Sequence, residues 1–264
     1  MPKISITTLE DAQSVAMPQG FAGTAQTRAL YRHDDDPLRV FLHTLAHDAS
    51  LRIGPRDTDC IAYVWKGAVR AGGRDLAAGS SLIVEHGADA EIKGRDERSQ
   101  VLTFSAADSS LRPRAGGHVH LLPAERVPRT SMLAGTNGVG GGMHANAECP
   151  SCQIWLHENS FVSADAEPSL AQMEKGIHSH SEDEVIFVTD GQMRLGNRLF
   201  GPGTAVAVAA DTFYSFAVGP HGLKFINFRP ARPSDIKLKS GGSMDEVAYW
   251  RDRLPAPEYL APLD

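Results

Sequence analysis

The chain has 264 residues, of which 42% are apolar and 22% charged, enough for one large or two small hydrophobic cores. Its formal net charge is −6, and its 26 basic side chains form no dense block, so neither a nucleic acid nor an anionic membrane is an expected partner. Its most apolar stretches, such as Ala205 to Ala210, are far shorter than the ~20 residues of a membrane span.

The first residues of the chain and its cysteines indicate the cellular compartment. Glu10 and Asp11 fall where a secretion signal needs an unbroken apolar stretch. Three cysteines, Cys60, Cys149 and Cys152, are too few for a disulfide scaffold, and an odd number fits a reducing compartment. Both features predict a cytoplasmic protein.

The chain contains an internal repeat. Shifting the sequence by 124 residues aligns residues 57–104 with residues 181–228 without a gap, with nine identities in 48 positions. About three identities are expected by chance from average residue usage. Three identities are glycine pairs between apolar runs, so turns as well as composition repeat. These pairs are Gly67 with Gly191, Gly72 with Gly196, and Gly79 with Gly203.

Each half is predicted to consist of short β-strands separated by turn residues, at the spacing of a sandwich or barrel. In the first half the predicted strands are Leu38 to Leu45, Cys60 to Trp65, Ser81 to Glu85 and Gln100 to Phe104. In the second half they are Gln153 to Glu158, Glu184 to Val188, Gln192 to Leu195, Ala205 to Val208, Tyr214 to Val218 and Leu223 to Phe228.

Helical periodicity is clearest near the end of the chain. Ser243 and Glu246 have the spacing of a capping box, and Val247, Trp250 and Leu254 follow at helical intervals. This pattern predicts a short C-terminal helix that packs its Trp250 face against a barrel and takes no part in chemistry.

The segment around residues 176–191 carries the clearest chemistry. Residues two apart on an extended chain face the same way, so His178 and His180 project together, and Glu184 opens the next strand. Two neutral imidazoles and one carboxylate form a facial triad that leaves the other metal positions open. Because structural zinc sites are closed, such a triad indicates a catalytic site.

The same segment resembles the first cupin motif: a glycine, the His-x-His pair, a glutamate after three further residues, and Gly191 after six more. Gly201-Pro202-Gly203 resembles the start of the second motif. The chain is thus similar to a bicupin. The resemblance implies an all-β fold of two tandem cupin (double-stranded β-helix, or jelly-roll) barrels with a short C-terminal helix, and it implies a homodimer.

The repeat and the resemblance together predict four regions. Residues 1–112 form an N-terminal cupin-like barrel, residues 113–145 a linker region, residues 146–232 the metal-binding cupin, and residues 233–264 a tail with the helix. The positions of His178, His180, Glu184 and Tyr214 correspond, 124 residues earlier, to Gly54, Arg56, Cys60 and Ala90. The N-terminal barrel is therefore predicted to hold no metal ligands.

Tyr214 stands where the second cupin motif normally has a third histidine. A phenol with a pKa of about 10 is a poor metal ligand unless the metal acidifies it. Tyr214 could be a metal-bound phenolate, a hydrogen-bond donor beside the ligands, a general acid/base, or a tyrosine that only fills the barrel. We favour the hydrogen-bond donor and the acid/base.

Five further residues are predicted to line a substrate pocket. Trp155 and His157 share one face of a strand and line the cavity if that face points inward. Met173 and Lys175 belong to the connection before the histidine pair, which is either a gate at the barrel mouth or a surface crossover. Phe216 is one of several aromatic side chains near the site.

Cys149 and Cys152 form a lone CxxC pair, which is half of what a zinc ribbon needs. The pair is either two free thiols or part of a zinc site. His118 and His120 imitate the metal motif, but no apolar strand follows, so they are predicted to lie in an inter-domain strand with one polar face. The histidines considered as further zinc ligands are His144 and His157.

Three functions remain open. The first is a non-haem iron dioxygenase acting on a small organic substrate, aromatic or otherwise, as the resemblance implies. The donor set accepts Mn, Ni or Zn as well as Fe(II). The second is a redox-neutral, metal-dependent lyase, isomerase or cyclase in which Tyr214 moves a proton. The third is a non-catalytic protein that binds a small molecule.

Overall fold

The computed structural model describes residues 3–31, 36–107, 115–130, 139–162 and 176–263. In these residues the chain is nearly all antiparallel β-structure, with a 3-10 turn at Ala124–Arg126 and an α-helix, α1, at Glu246–Arg251. No helix in the described part of the chain is long and apolar enough to span a bilayer.

The chain forms two compact units, each assembled from three segments. The N-terminal unit consists of Asp11–Val127, Ala147–Ile154 and Pro257–Asp264. The C-terminal unit consists of Met1–Glu10, Pro128–Asn146 and Trp155–Ala256. The four regions and boundaries expected from the sequence stay a prediction.

The structure contains 23 described strands in four antiparallel sheets. In chain order they are β1 (Ile4–Thr7), β2 (Gln13–Val15), β3 (Phe21–Gly23), β4 (Gln26–Tyr31), β5 (Leu38–Leu45), β6 (Ser50–Ile53), β7 (Cys60–Lys66), β8 (Ala68–Ala71), β9 (Arg74–Ala77), β10 (Ser81–Val84), β11 (Ala90–Gly94), β12 (Ser99–Ala106), β13 (Val119–Leu122), β14 (Arg129–Thr130), β15 (Val139–Asn146), β16 (Trp155–Phe161), β17 (His178–Ser179), β18 (Glu184–Leu195), β19 (Arg198–Phe200), β20 (Ala205–Val208), β21 (Ala217–Arg229), β22 (Ile236–Leu238) and β23 (Ser243–Met244).

Each unit contains one large and one smaller sheet. In the N-terminal unit the strand orders are β13-β10-β7-β12-β5-β4-β2 and β3-β6-β11-β8-β9. In the C-terminal unit they are β1-β20-β18-β21-β16-β15-β14, with β19 paired to β18, and β17-β22-β23. Strands β10 and β20 are buried at every position, which explains why they consist of uninterrupted small and aliphatic residues.

The sequence repeat reappears as a repeat of strand register. Ser81 pairs with Tyr63 in the N-terminal unit, and Ala205 pairs with Phe187, each 124 residues later, in the C-terminal unit. The glycine pairs adopt matching left-handed conformations, with φ of 85° at Gly79 and 92° in its counterpart. Glycine alone adopts this conformation without steric cost, which explains why these identities persist in the repeat.

The outer edges of β10 and β20 are covered in the same register by strands from different parts of the chain. In the N-terminal unit β13 places Val119 opposite Val84. In the C-terminal unit β1 places Ile4 opposite Val208. Residues 4–7 therefore complete the sheet of the C-terminal unit, because a buried sheet needs a hydrogen-bonding partner along this edge.

Most predicted strands are present, and several differ in extent. β5 and β20 have the predicted bounds. β18 continues through Gly191, where two strands were predicted. Tyr214 lies outside β21, so the predicted strand from Tyr214 to Val218 is wrong at its start. The reason is that the backbone of Tyr214 exchanges both hydrogen bonds with His178, at 2.9 and 3.0 Å, and so pairs with the histidine segment.

The C-terminal helix forms as predicted, but its cap differs. Asp245, and not Ser243, is the N-cap, and its carboxylate accepts a hydrogen bond from the Ala248 amide at 2.8 Å. Trp250 is buried, and its ring lies 4.9 Å from that of His157. The helix thus packs through the predicted face.

Candidate active site

The predicted ligands come from one side of the C-terminal unit. His178 lies in the two-residue strand β17, and His180 follows it directly. Glu184 is the first residue of β18 and is buried. Tyr214 is attached to this group through its backbone pairing with His178.

The structure brings these four side chains together. The rings of His178 and His180 are 5.1 Å apart, and the Tyr214 ring is 4.7 Å from that of His178. The Nε2 atom of His180 is 3.8 Å from Glu184 Oε2. His178 Nδ1 lies 2.8 Å from the carbonyl oxygen of Gly176. A hydrogen bond to that carbonyl leaves Nε2 of His178 as the acceptor, the usual orientation of a metal-binding histidine.

Arg229 and Glu246 also belong to this group. Arg229 ends β21 and is 1% exposed, and its Nη2 is 3.3 Å from both His180 Nε2 and Glu184 Oε2. Its Nη1 donates to Glu246 Oε2 at 2.5 Å. The first residue of the helix, Glu246, therefore contacts this group through Arg229, which the sequence pattern did not predict.

Sequence reasoning missed both residues for a physical reason. An arginine after an apolar strand normally ends at the surface, and a glutamate in the first helical turn is normally explained by capping. The available signal was the position of Arg229 at the buried end of β21, where the repeat has Ser105.

Burial and neighbouring charge set the ionisation of the group. Burial lowers the pKa of His180 to about 4, with a further contribution from Arg229, so its imidazole is neutral at pH 7. Burial alone would raise the pKa of Glu184, but His180 and Arg229 lower it to about 2. Burial and the charge of Glu184 raise the pKa of Tyr214 well above 10. Without a bound cation, the Tyr214 hydroxyl therefore keeps its proton at pH 7.

Glu246 differs from Glu184 in its ionisation. Burial raises the pKa of Glu246 despite the opposing effect of Arg229. The guanidinium of Arg229 thus lies between a carboxylate that ionises readily and one that ionises less readily.

The residue types fit a divalent cation. His180 is neutral and Glu184 charged, as metal ligands must be. Within the described residues, Glu184 Oε1 and His180 Nδ1 are buried atoms without a hydrogen-bond partner. A buried carboxylate oxygen without a donor is costly, and a cation would satisfy it. A metal ion bound to Glu184 would share this carboxylate with Arg229. The guanidinium would keep its hydrogen bonds to Glu246.

The predicted pocket residues occupy different surroundings. Trp155 and His157 are buried, with Trp155 Nε1 donating to His157 Nδ1 at 2.9 Å. His157 Nε2 lies 4.0 Å from Glu246 Oε1, which places it beside the site. Phe216 packs 5.4 Å from the ring of Phe225. Met173 and Lys175 lie outside the described residues.

The corresponding positions of the N-terminal unit carry different chemistry. Arg56, at the position of His180, donates to Ser105 Oγ at 2.9 Å and lies over the Phe21 ring at 4.7 Å. Cys60, at the position of Glu184, is fully buried, and burial raises its pKa to about 11. Arg56 is thus a paired arginine and Cys60 a small buried side chain.

The CxxC pair also lies in the N-terminal unit. Glu85, His120, Cys149 and Cys152 each place one potential ligand atom within 4.8 Å of the others, the one such group among the described residues. The two histidines considered from sequence are engaged elsewhere: His144 Nε2 is 3.1 Å from a carboxylate oxygen of Glu158, and His157 is bound to Trp155.

Comparison with known proteins finds likeness in structure and not in sequence. No family model and no curated protein matches the chain. Protein Ylba from E. coli, described under family DUF861, has a TM-score of 0.65 at 16% identity, over 88% of this chain and 92% of its own. A Pseudomonas aeruginosa protein described as glyoxylate-induced has a TM-score of 0.63 at 8% identity, covering 88% and 90%.

Oxalate decarboxylases are also similar in structure. The enzyme from Lactobacillus farciminis, in a formate complex, has a TM-score of 0.62 at 11% identity, over 86% of both chains. A Bacillus subtilis variant has a TM-score of 0.60 at 12% identity, over 86% of this chain and 77% of its own. These neighbours are cupin-type proteins, so the chain has a cupin-type fold.

Proposed function

We propose that the C-terminal unit contains the active site of a metal-dependent cupin enzyme that converts a small organic substrate without net oxidation. His178, His180 and Glu184 would hold the divalent cation. The observation that carries the proposal is the buried Tyr214 side chain, whose ring lies 4.7 Å from that of His178. A proton donor at the third ligand position suits a lyase, isomerase or cyclase more than an oxygenase.

Each side chain has a role that follows from its surroundings. A divalent cation held by His178, His180 and Glu184 would supply Lewis acidity for a substrate oxygen. Tyr214 holds a proton at its hydroxyl oxygen and can give it to a substrate atom bearing developing negative charge. Asn227 donates to Glu184 Oε2 at 2.7 Å and so fixes the carboxylate.

Arg229 and Glu246 set the charge of the site. The guanidinium of Arg229 neutralises the charge of Glu184 when no metal ion is bound. Its ion pair with Glu246 would hold it inside the unit if Glu184 bound a metal ion instead. A buried arginine that lost both carboxylates would be an uncompensated charge, which is strongly unfavourable. Glu246 is therefore a positioning residue and not a catalytic one.

The dioxygenase stays the second candidate. Two imidazoles and one carboxylate form the donor set of non-haem iron oxygenases, which leave positions for substrate and oxygen. Fe(II) and Mn(II) are both proposals for the cation. Bacillus subtilis oxalate decarboxylase, a structural neighbour, is described as having Mn(II) centres, so Mn(II) and oxalate are the first metal and compound to test.

The test is a metal and substrate screen on the full chain, purified without a chelating tag. Samples loaded with Mn(II) or Fe(II) are incubated with oxalate, glyoxylate and other small carboxylic acids, in air and under nitrogen. We expect one compound to be converted at equal rates in both atmospheres. Oxygen uptake in step with conversion would instead establish the dioxygenase, and binding without conversion would establish a binding protein.

Three broader proposals accompany this one. The repeated strand register supports two tandem cupin barrels, one in each unit. The homodimer is tested by sedimentation equilibrium, with a single mass of twice the chain mass of 28.4 kDa as the expected result. The cytoplasmic location is tested by fractionation of the native cells.

A further inference from the structure

A second cluster of ligand-type side chains lies in the N-terminal unit, away from the positions that the repeat equates with the cupin ligands. We propose that Glu85, His120, Cys149 and Cys152 form a structural zinc site. Glu85 directly follows β10, His120 lies in the neighbouring strand β13, and the two cysteines come from one short loop, so a bound ion would join elements that the sequence separates by up to 67 positions.

The strands place Glu85 and His120 side by side. β10 and β13 pair so that Ile83 lies opposite His120, and Glu85 directly follows β10. The side chain of Glu85 is fully buried, and that of His120 is 21% exposed. Glu85 Oε1 lies 2.7 Å from His120 Nε2.

The loop brings the two thiols to the same point. Cys149 Sγ is 3.6 Å from Glu85 Oε1 and 3.8 Å from His120 Nε2. Cys152 is 1% exposed, and both cysteines are free. In a tetrahedral site with zinc–ligand bonds of 2.0–2.3 Å, neighbouring ligand atoms are roughly 3.3–3.8 Å apart. The Cys149 distances already match this spacing, the Cys152 sulfur lies within 4.8 Å of the other three ligand atoms, and the contact between Glu85 and His120 has to open.

The cluster is supported from outside the ligand set. Ser151 Oγ donates to Glu85 Oε1 at 2.6 Å, and the His118 amide donates to Glu85 Oε2 at 2.9 Å. The carboxylate of Asp59 accepts from the Gln153 amide at 2.8 Å, which fixes the loop next to Cys152. Such surrounding hydrogen bonds orient metal ligands before the metal binds.

The donor set selects the metal. Two thiols, an imidazole and a carboxylate make four ligands, the number that a closed zinc site requires, and soft thiolates disfavour Mg, Ca and Mn. All four positions belong to protein side chains, so the site leaves no room for substrate. The ion would therefore tie the loop Ala147–Ile154 to strands β10 and β13.

Elemental analysis under reducing conditions tests the site. The full chain, purified without a chelating tag or chelator, is expected to contain cysteine-bound zinc, with about one ion per chain at this site. The double substitution Cys149→Ser with Cys152→Ser should lose this ion. Cys60→Ala, a cysteine change in the same unit but outside the cluster, should retain it. His180→Ala should also retain it, which separates this site from the one in the C-terminal unit.

Cobalt provides a readout that does not depend on a folded variant. Replacing the ion in the unaltered chain with Co(II) should produce thiolate-to-cobalt charge-transfer absorption, and a mercurial thiol reagent should release the metal. A chain without zinc that also shows no such absorption with Co(II) would overturn the proposal. A disulfide between Cys149 and Cys152 in protein isolated without reductant would overturn it as well.

Discussion

The two units of this protein share a backbone frame but differ in the side chains placed on it. Asp59 accepts a hydrogen bond from the His86 amide at 2.8 Å, and Asp183, 124 residues later, accepts one from the Ala210 amide at 2.9 Å. The turn that follows the histidine pair in the C-terminal unit therefore has a close counterpart in the N-terminal unit. The two units share strand register and turn geometry. None of the predicted metal ligands of the C-terminal unit is repeated in the N-terminal unit.

The difference shows that the fold and the site have separate requirements. The frame needs glycine in left-handed turns and small or β-branched residues in buried strands, and both units meet these needs. The ligand positions face inward, where an arginine and a cysteine are accommodated as readily as a histidine and a glutamate, provided that each polar group finds a partner. The chemistry can therefore be moved or lost without changing the fold.

The largest expected effect comes from removing a ligand in the C-terminal unit. His180→Ala should abolish the metal of this unit and reduce turnover by about 10³-fold or more, because the Lewis acid supplies several kcal/mol. Metal content and turnover are measured together. Arg56→Lys changes the equivalent position of the N-terminal unit and should leave both unaltered. Full turnover by His180→Ala would contradict the assignment.

A second, smaller effect is expected at the tyrosine. Tyr214→Phe should slow kcat by about 10²- to 10⁴-fold while retaining the metal, because it removes the proton and keeps the ring. Tyr63→Phe gives the N-terminal unit the residue of its counterpart Phe187 and should leave kcat unchanged. Loss of metal in Tyr214→Phe would show instead that the phenol is a ligand.

Glu246 tests whether the helix acts on the site through Arg229. Glu246→Gln should weaken metal binding about 10- to 100-fold, because Arg229 then has only Glu184 as a charged partner and competes with the cation. Affinity is measured by competition with a chromophoric chelator. Glu258→Gln, in the exposed tail of the N-terminal unit, is the control. An unchanged metal affinity would show that Glu246 does not position Arg229 for metal binding.

The smallest expected effect distinguishes a structural histidine from a ligand. His43 is fully buried between Thr27 and Thr103, at 2.9 Å from each hydroxyl, and burial lowers its pKa to about 3. The unfolded chain binds a proton near pH 6.5 and the folded chain does not, so stability falls as pH drops from 6.5 towards 3. The loss is about 2 kcal/mol at pH 5.

Chemical denaturation at pH 7 and pH 5 measures this loss, and His43→Gln should reduce the difference between the two values. Adding a divalent cation should not change the contribution of His43, because both of its ring nitrogens already have partners. An equal pH dependence in the variant would show that other groups cause it.

The sequence alone determined the features that depend on local pattern. Glycines at repeated turns and alternating or buried apolar runs gave the bounds of β5 and β20. The spacing of His178, His180 and Glu184 predicted a metal site, and the structure places the two imidazole rings 5.1 Å apart and His180 Nε2 3.8 Å from Glu184 Oε2. These features were accessible because period, turn conformation and spacing are properties of a few neighbouring residues.

Only the tertiary structure decided which distant side chains complete each cluster. Arg229 and Glu246 meet Glu184 because β21 pairs with β18 and the helix packs onto the same unit. Glu85 and His120 meet the CxxC loop because β10 and β13 are adjacent, whereas the histidines chosen from sequence are bound elsewhere. Strand pairing between distant segments leaves little local trace, so these partners could not be read from spacing.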